Sequence, residues 1–140
     1  MPMETPKILV AGNSQKSVAL VRAAIEPLDY QLVTAQPMSM ALFLAQKNLP
    51  EVIISDLKML DGDGIRFLNE VKLDAELAKI PFIFLVDEPT DEATELSAIT
   101  RGARLICLNT IGPEALLDVL EPLIKERLNQ KGKREEHSPE

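Results

Sequence analysis

Five short apolar runs alternate with five longer amphipathic segments along this chain. The runs are rich in β-branched and other apolar residues and are too short for helices, so they predict buried strands. In each longer segment the apolar residues recur every three or four positions, which is the spacing of one face of an α-helix. The predicted strands cover 7–11, 31–34, 52–54, 82–86 and 105–108, and the predicted helices about 15–26, 37–47, 65–71, 91–101 and 113–129.

The alternation of strand and helix predicts one α/β domain with a (βα)5 pattern. This pattern is typical of a doubly wound, five-stranded parallel sheet with helices on both faces and right-handed connections. We expect a short polar lead over 1–5, the folded domain over 6–127 and a loose, charged C-terminal tail over 128–140.

Several single residues predict where elements begin, bend or bury their side chains. Asn13 or Ser14 can cap the first helix and Thr90 the fourth, because their side-chain oxygens can accept an unpaired backbone N–H. Pro122 lies inside the last helix and should kink it, since proline removes the bond to the residue four positions earlier. Met40 is expected on the apolar stripe of the second helix.

Composition and charge restrict the function. The chain has 140 residues, of which 46% are hydrophobic, and a net charge of −7. Because nucleic-acid binding needs a basic face that neutralises phosphates, this negative net charge argues against a nucleic-acid partner. No apolar stretch reaches the length of a membrane span, and the N-terminus lacks a signal-peptide core, so we expect a cytoplasmic protein without a membrane partner.

The side chains on which many enzymes depend are scarce in this chain. The single cysteine, Cys107, has no internal disulfide partner and is expected in the core. The single histidine, His137, lies in the predicted tail, so no histidine-based triad or zinc site can be built. The segment 12–17 lacks the glycine that a phosphate-cradling loop places before its Lys-Ser pair. A flavodoxin-like enzyme or nucleotide binder is therefore the weakest hypothesis, and we predict that the protein is not an enzyme.

The stretch 51–64 is the most informative part of the chain. A β-branched run, Val52 to Ile54, leads into Asp56, and a loop with further acids and two glycines follows. Asp56 is therefore expected where a buried strand ends. In an open parallel sheet this carboxyl edge is where ligands bind and chemistry takes place.

The pattern Asp56-x-x-Met59 followed by Asp63-Gly64 resembles the phosphoacceptor loop of response regulator receiver domains. Pro81 before the fourth strand and Gly102-Ala103 before the fifth are similar to that family as well. The resemblance covers nearly all of the predicted domain and implies a flavodoxin-like sheet with strand order 2-1-3-4-5. It also implies that Asp56 accepts a phosphoryl group from a phosphohistidine of a partner kinase.

The chain departs from the family at each position that normally assists the phosphoacceptor. Gly12 and Asn13 stand in place of the acidic pair that holds Mg²⁺. Val86 replaces the hydroxyl residue at the end of the fourth strand, and Asn109 replaces the lysine at the end of the fifth. Ile106 replaces the aromatic residue that reports the phosphorylated state. These losses are mutually consistent and predict an atypical receiver.

The resemblance implies a Mg²⁺ ion held by Asp56, Asn13 and the backbone carbonyl of Lys58. Because Mg²⁺ prefers carboxylate oxygens and an amide oxygen is neutral, we expect binding to be weak. Asp87 stands where the family usually has a small residue. It either substitutes as a metal ligand or repels an incoming phosphoryl group, and we favour repulsion because one regained ligand does not replace the lost lysine. Proximity of the two carboxylates can raise the pKa of one of them.

Two functional hypotheses follow from the resemblance. The first is a single-domain response regulator of a phosphorelay, in which Asp56 accepts a phosphoryl group from a histidine kinase or phosphotransfer protein. The second is a pseudo-receiver, a phosphorylation-independent module for protein binding or dimerisation. In the family, the face made by the fourth helix, fifth strand and fifth helix serves for docking, so we expect a homodimer or target protein there. Candidate residues on this face are Glu95, Ala98, Arg101 and Arg104.

Overall fold

The computed structural model describes residues 5–59, 62–87, 90–107 and 109–136. The five strands of its main sheet are β1 (Lys7–Ala11), β2 (Gln31–Ala35), β3 (Val52–Ser55), β4 (Phe82–Val86) and β5 (Ala103–Cys107). The five α-helices are α1 (Gln15–Ile25), α2 (Met38–Asn48), α3 (Gly64–Leu73), α4 (Glu92–Thr100) and α5 (Pro113–Glu136). The predicted Leu108 end of the fifth strand and His137 lie outside the described residues.

All neighbouring strands of the main sheet are parallel, in the order β2-β1-β3-β4-β5. Ala11 pairs with Ser55, and Ser55 pairs with Phe84. The carboxyl ends of β1, β3 and β4 therefore lie at the same edge of the sheet. The prediction of a (βα)5 doubly wound sheet with this strand order is confirmed.

Successive side chains of the central strands point to opposite faces of the sheet, as strand geometry requires. Ile8, Val10 and Ile54 pack with α1 and α5 on one face, and Leu9 and Ile53 pack with α2, α3 and α4 on the other. These side chains are at most 1% exposed. Burial on both faces explains why the strands are continuous apolar runs instead of alternating ones.

Ser14 caps α1, as predicted, and its hydroxyl accepts the backbone N–H of Ser17 at 3.2 Å. The predicted cap of α4 is wrong by one residue. Asp91, not Thr90, accepts the backbone N–H of Thr94, at 2.8 Å. A carboxylate at this position also complements the positive end of the helix dipole, which a hydroxyl does less well.

Two further expectations about the helices are corrected. Met40 is 47% exposed and does not belong to the buried face of α2, which includes the predicted Ala41 and also Ala45. The predicted loose tail over 128–140 is also wrong for its first part, because α5 continues through Pro122 to Glu136. Lysine, arginine, glutamate and glutamine are good helix formers, so the charged composition of this segment is compatible with helix.

A short antiparallel ribbon of Lys58–Met59 and Gly62–Asp63 follows β3 and was not predicted. Asp63 ends the ribbon and caps α3 by accepting the backbone N–H of Arg66 at 2.8 Å. No helix in the described part of the chain is long and apolar enough to cross a membrane.

Candidate functional site

The candidate site lies at the carboxyl edge of the sheet, where β1, β3 and β4 end side by side. Asp56 directly follows β3, and its backbone N–H donates to the carbonyl of Ala11 at the end of β1, at 2.9 Å. The hydroxyl of Ser55 donates to the carbonyl of Asp56 at 2.8 Å. These bonds fix the backbone of Asp56 between two central strands.

The carboxylate of Asp56 is held by the first turn of α1. Its Oδ2 accepts the backbone N–H of Ser14 at 2.9 Å, and its Oδ1 accepts the hydroxyl of Ser17 at 3.0 Å. Only 8% of the residue is exposed. Both oxygens of the predicted phosphoacceptor therefore have donors from within the domain.

The sequence after β1 explains why this helix can hold an anion. Ser14 is the N-cap of α1, so its backbone N–H belongs to the unpaired donors at the helix start. These donors and the helix dipole favour a negative group at the N-terminus. Ser17 lies within the first turn, where its hydroxyl can reach the same carboxylate.

Gly12 makes room for this arrangement. It adopts φ +124°, and a Cβ placed on it would lie 2.2 Å from Oδ2 of Asp56 and 2.6 Å from its carboxyl carbon. No side chain fits there while the Asp56 carboxylate keeps its position. The glycine at position 12 therefore removes a metal ligand and also allows the Asp56 carboxylate to pack directly against the backbone.

Burial raises the pKa of the Asp56 carboxyl above its ordinary value of 3.8. The negative charge of Asp87 also raises this pKa, whereas the hydrogen bonds from Ser14, Ser17 and the backbone of Asn13 lower it. The net effect is a raised pKa, because loss of water around a carboxylate disfavours its charged form. The proximity of Asp56 and Asp87 was predicted to raise the pKa of one of the two acids, and the pKa that is raised is that of Asp56.

A cleft of about 460 Å³ opens above Asp56. Several of the predicted site residues line it. They are Asn13, Asp56, Lys58, Val86 and Asp87, together with Ser14, Leu57, Leu85 and Thr90. Asn13, Lys58 and Asp87 are exposed, and Val86 is half-buried with no hydroxyl to offer. The structure therefore brings most of the predicted positions together.

Asn109 and Ile106 do not line this cleft. The side-chain amide of Asn109 donates to the backbone carbonyl of Asp87 at 2.5 Å and so links the loops that follow β4 and β5. Ile106 is half-buried and packs against the apolar cluster on the α1 and α5 face. Neither residue supplies a charge or a polar group to Asp56.

The donor set does not fit a Mg²⁺ site. In the described ranges, no three acidic, cysteine or histidine residues cluster closely enough to hold a metal. Gly12 has no side chain, and both oxygens of Asp56 already accept hydrogen bonds from α1. Because Mg²⁺ requires near-octahedral oxygen coordination and releases water reluctantly, the engaged carboxylate of Asp56, the exposed carboxylate of Asp87 and the neutral amide of Asn13 are a poor set of ligands.

Sequence reasoning missed Ser17 and the role of Ser14 beyond capping. The available signal was the pair Ser14-x-x-Ser17 at the start of a helix that follows β1. In a parallel sheet, that helix begins at the same edge at which β3 delivers Asp56. Contact between the two could have been inferred from topology, although the orientation of the carboxylate could not.

Comparison with known proteins agrees with this architecture. The model of the response regulator receiver domain family matches residues 8–121. The chain belongs to this family. Receiver domains are signalling modules of two-component systems, and they interact with histidine kinases and phosphotransfer proteins.

Several relatives of this receiver domain are response regulators by name. The chain is 28% identical over 134 residues to the two-component response regulator ORR21 of Oryza sativa subsp. indica, and the match covers 94% of this chain. It covers only 19% of ORR21, so the chain spans about a fifth of that relative. Protein PilH of Pseudomonas aeruginosa is 24% identical over 118 residues, which are 84% of this chain and 97% of PilH.

The fold has close counterparts among solved structures. The chemotaxis response regulator CheY4 of Vibrio cholerae matches with a TM-score of 0.73 and 26% sequence identity, over 86% of this chain and 99% of CheY4. The receiver domain of an HD domain-containing protein from Pseudomonas fluorescens matches with a TM-score of 0.79 over 94% of this chain and 96% of its own. That second pair is 20% identical and bears on the fold alone.

Proposed function

We propose that this receiver domain signals through protein–protein contacts without phosphorylation of Asp56, which instead anchors the start of α1. The observation that carries this proposal is the pair of hydrogen bonds from Ser14 and Ser17 to the two carboxylate oxygens. The close approach of Gly12 to the same carboxylate supports it. A buried carboxylate with donors on both oxygens is a structural element of the domain, not a free nucleophile.

The surroundings of Asp56 also lack what phosphoryl transfer requires. Such a transfer depends on positioning and on neutralising the charge of the phosphoryl oxygens. The charged neighbour that acts on Asp56 is Asp87, which is negative. The amide of Asn109 is bonded to the backbone of Asp87 and brings no charge. Each of these features disfavours an incoming phosphoryl group.

A second candidate function is the phosphorelay receiver in which Asp56 accepts a phosphoryl group from a histidine kinase or phosphotransfer protein. The cleft of about 460 Å³ favours it, because Asp56 is one of the residues that line this cleft. The response regulators ORR21 and CheY4 among the similar proteins agree with such a role. In that case, Lys58 is the one basic residue among the described residues that line the cleft.

The docking face proposed for a target protein or a second copy consists of α4, β5 and α5. Leu96 and Ile99 lie on α4 and are 66% and 59% exposed. Arg101 bonds to Asn69 of α3 and to Ser97, so its guanidinium is engaged within the domain. The exposed apolar pair is thus a better candidate for partner contact than Arg101.

Intact-mass spectrometry tests the proposed function. The protein is incubated with acetyl phosphate and Mg²⁺, and separately with a phosphorylated histidine kinase core. We expect no covalent phosphoryl adduct with either donor. CheY-like receivers that keep the full set of site residues serve as a positive control for the donors.

The variant Asp56→Ala distinguishes specific from adventitious modification. An adduct that forms on the wild-type chain and disappears in Asp56→Ala would establish the phosphorelay function and refute the proposal. An adduct of equal yield in both proteins lies elsewhere on the chain and leaves the assignment of Asp56 as an anchor intact.

A further inference from the structure

Exposed apolar side chains form two short stripes of equal length, one on α2 and one on α4. Five large apolar side chains are exposed in the described part of the chain, and four of them fall in two pairs spaced three residues apart. Met40 and Phe43 are the pair on α2, and Leu96 and Ile99 are the pair on α4. Because residues three positions apart lie on one face of a helix, each pair is a continuous apolar surface and not a scatter of single side chains.

The stripe on α2 points away from the core and ends in a positive charge. Ala41 and Ala45 are buried on the opposite side of this helix. Lys47 lies one turn after Phe43, and its Nζ is 5.9 Å from the centroid of the Phe43 ring. No acidic residue occurs in α2. Met40, Phe43 and Lys47 are called the α2 stripe below.

The stripe on α4 carries a negative charge at the matching distance. Ala98 is the buried residue of this helix, and the exposed pair Leu96 and Ile99 lies away from the core. Glu92 lies one turn before Leu96 and is exposed. No lysine or arginine occurs in α4. Glu92, Leu96 and Ile99 are called the α4 stripe below.

We infer that the α2 stripe of one copy of this chain packs antiparallel against the α4 stripe of a second copy. Followed in opposite directions, both stripes have spacings of three and then four residues and span about 10 Å. This alignment places the two apolar pairs against each other and Lys47 beside Glu92. The inference rests on the proposed function and deepens it, because it names what covers the exposed apolar pair of α4.

Charge favours this pairing over the others that the two stripes allow. A parallel alignment of α2 with α4 places Lys47 and Glu92 against apolar side chains at opposite ends of the contact, where neither charge has a partner. Pairing α2 with α2 supplies no acid, and pairing α4 with α4 supplies no base, so neither contact forms an ion pair. Two copies with a net charge of −7 repel each other, and α2, which has no acid, is a surface that an acidic helix can approach.

The contact joins two different surfaces and is therefore heterologous. A pair of copies keeps one free α2 stripe and one free α4 stripe, so further copies can add. One pair of helices buries less area than the roughly 1,200 Å² at which standard interfaces begin. We therefore expect weak association, with a dissociation constant of about 0.1–1 mM.

Sedimentation velocity at a series of protein concentrations, without a phosphoryl donor, tests the inference. The wild type should form dimers and larger species as concentration rises. Phe43→Asp blocks the α2 stripe and Leu96→Asp blocks the α4 stripe, so each variant alone should associate at least about 10-fold more weakly. Their equimolar mixture should form a dimer and nothing larger, because it retains one intact stripe of each kind.

Three results would overturn the inference. The first is a wild type that stays monomeric at about 1 mM, the upper end of the expected range. The second is undiminished self-association of Phe43→Asp or of Leu96→Asp, which would show that one stripe pairs with itself. The third is an equal loss of association in Leu73→Asp, the matched control, which changes the remaining exposed large apolar residue on α3 and lies outside both stripes.

Charge-reversal variants test the antiparallel register. Lys47→Glu and Glu92→Lys should each weaken association by about 2-fold to 10-fold, and mixing the two variants should restore it. Lys16→Glu makes the same charge change at an exposed position of α1, which packs on the other face of the sheet, and should have little effect. Equal weakening by Lys16→Glu, or a mixture that associates no better than the single variants, would contradict the register.

The outcome can be separated from that of the proposed function. All of these variants keep Asp56 and its hydrogen-bond partners, and the phosphoryl-adduct assay is run on the same preparations. An adduct on Asp56 refutes the proposed function, whereas the absence of stripe-dependent association refutes this inference alone.

Discussion

Gly12 and Asp56 are in direct backbone-to-carboxylate contact, and the position of a Cβ on Gly12 is already occupied by Oδ2 of Asp56. The contact joins the loop after β1 to the residue after β3. It also places the carboxylate beside Ser14 and Ser17, whose N–H and hydroxyl it accepts. The hydrogen bonds of the Asp56 carboxylate to Ser14 and Ser17 therefore depend on the absence of a side chain at position 12.

Gly12→Ala should therefore destabilise the domain. The new methyl group meets Asp56 at 2.2 Å, and alanine is strained at φ +124°. Together, overpacking and backbone strain are expected to lower the free energy of unfolding by about 2–4 kcal/mol. Urea denaturation followed by circular dichroism measures the change.

Gly112→Ala is the matched control, because nothing lies within 4 Å of a Cβ at that position. Its cost should not exceed about 1 kcal/mol, the usual effect of alanine at a helix N-cap. In an Asp56→Ala background, Gly12→Ala should cost less than in the wild type, since the clash with the carboxylate is removed while the contact with Cβ of residue 56 at 2.8 Å and the backbone strain remain. A cost that is unchanged in that background would show that the two residues are not coupled.

The raised pKa of Asp56 predicts a particular pH dependence of stability. Between the ordinary value of 3.8 and the higher value in the folded state, the folded protein binds the proton more tightly than the unfolded chain. The contribution of this group to the free energy of unfolding therefore falls as pH rises through that window. It stays constant at higher pH.

Asp56→Asn removes this titration while keeping the shape of the side chain. Its stability relative to wild type should rise with pH across the same window and then level off. Urea unfolding at a series of pH values from acid to neutral measures the difference. A difference that moves in the opposite direction would mean that the folded state favours the ionised carboxylate.

Ser17→Ala should destabilise the domain by about 1–2 kcal/mol, because it removes a buried hydrogen bond to a charged group. It should also raise the pKa of Asp56 further, since the Ser17 hydroxyl lowers that pKa. Carboxyl-carbon NMR titration reads the pKa directly. Thr100→Ala removes an exposed hydroxyl from α4 and is the control for loss of a helical hydroxyl group; an equal effect of the two variants would contradict the role given to Ser17.

Magnesium should not stabilise the wild-type domain. A ligand that binds only the folded state raises the free energy of unfolding by RT ln(1 + [L]/Kd), and the groups around Asp56 do not fit Mg²⁺. Thermal unfolding in magnesium chloride and in sodium chloride of equal ionic strength should give the same midpoint. Asn13→Asp adds a third carboxylate to those of Asp56 and Asp87 that line the cleft, so this variant should gain a magnesium-dependent rise in midpoint.

Most of the fold could be predicted because its determinants are local. Strands such as Val52–Ser55 are short β-branched runs, and the breaks between elements carry proline, glycine or capping residues. The errors lie where local signals compete. Thr90 and Asp91 are both good caps, and a charged segment such as 128–136 can be helix or tail depending on whether the preceding helix continues.

The candidate site was predictable in composition but not in geometry. The sequence shows that Gly12, Val86 and Asn109 cannot perform the roles of a metal ligand, a hydroxyl donor and a lysine. It does not show that Asp56 turns toward α1 or that Asn109 bonds to the backbone of Asp87. These are contacts between residues about 20 to 40 positions apart. They depend on side-chain orientation, which composition and periodicity do not specify.

The most direct test of the account is an amide-resolved NMR titration with beryllofluoride and Mg²⁺. Beryllofluoride mimics a phosphoryl group on an aspartate and is not lost by hydrolysis, so a negative result cannot arise from a short-lived adduct. If Asp56 is an anchor of α1, the amides of Ser14 and Ser17 will not shift. Saturable shifts of both amides in the wild type that disappear in Asp56→Asn would contradict the account and establish Asp56 as a working phosphoacceptor.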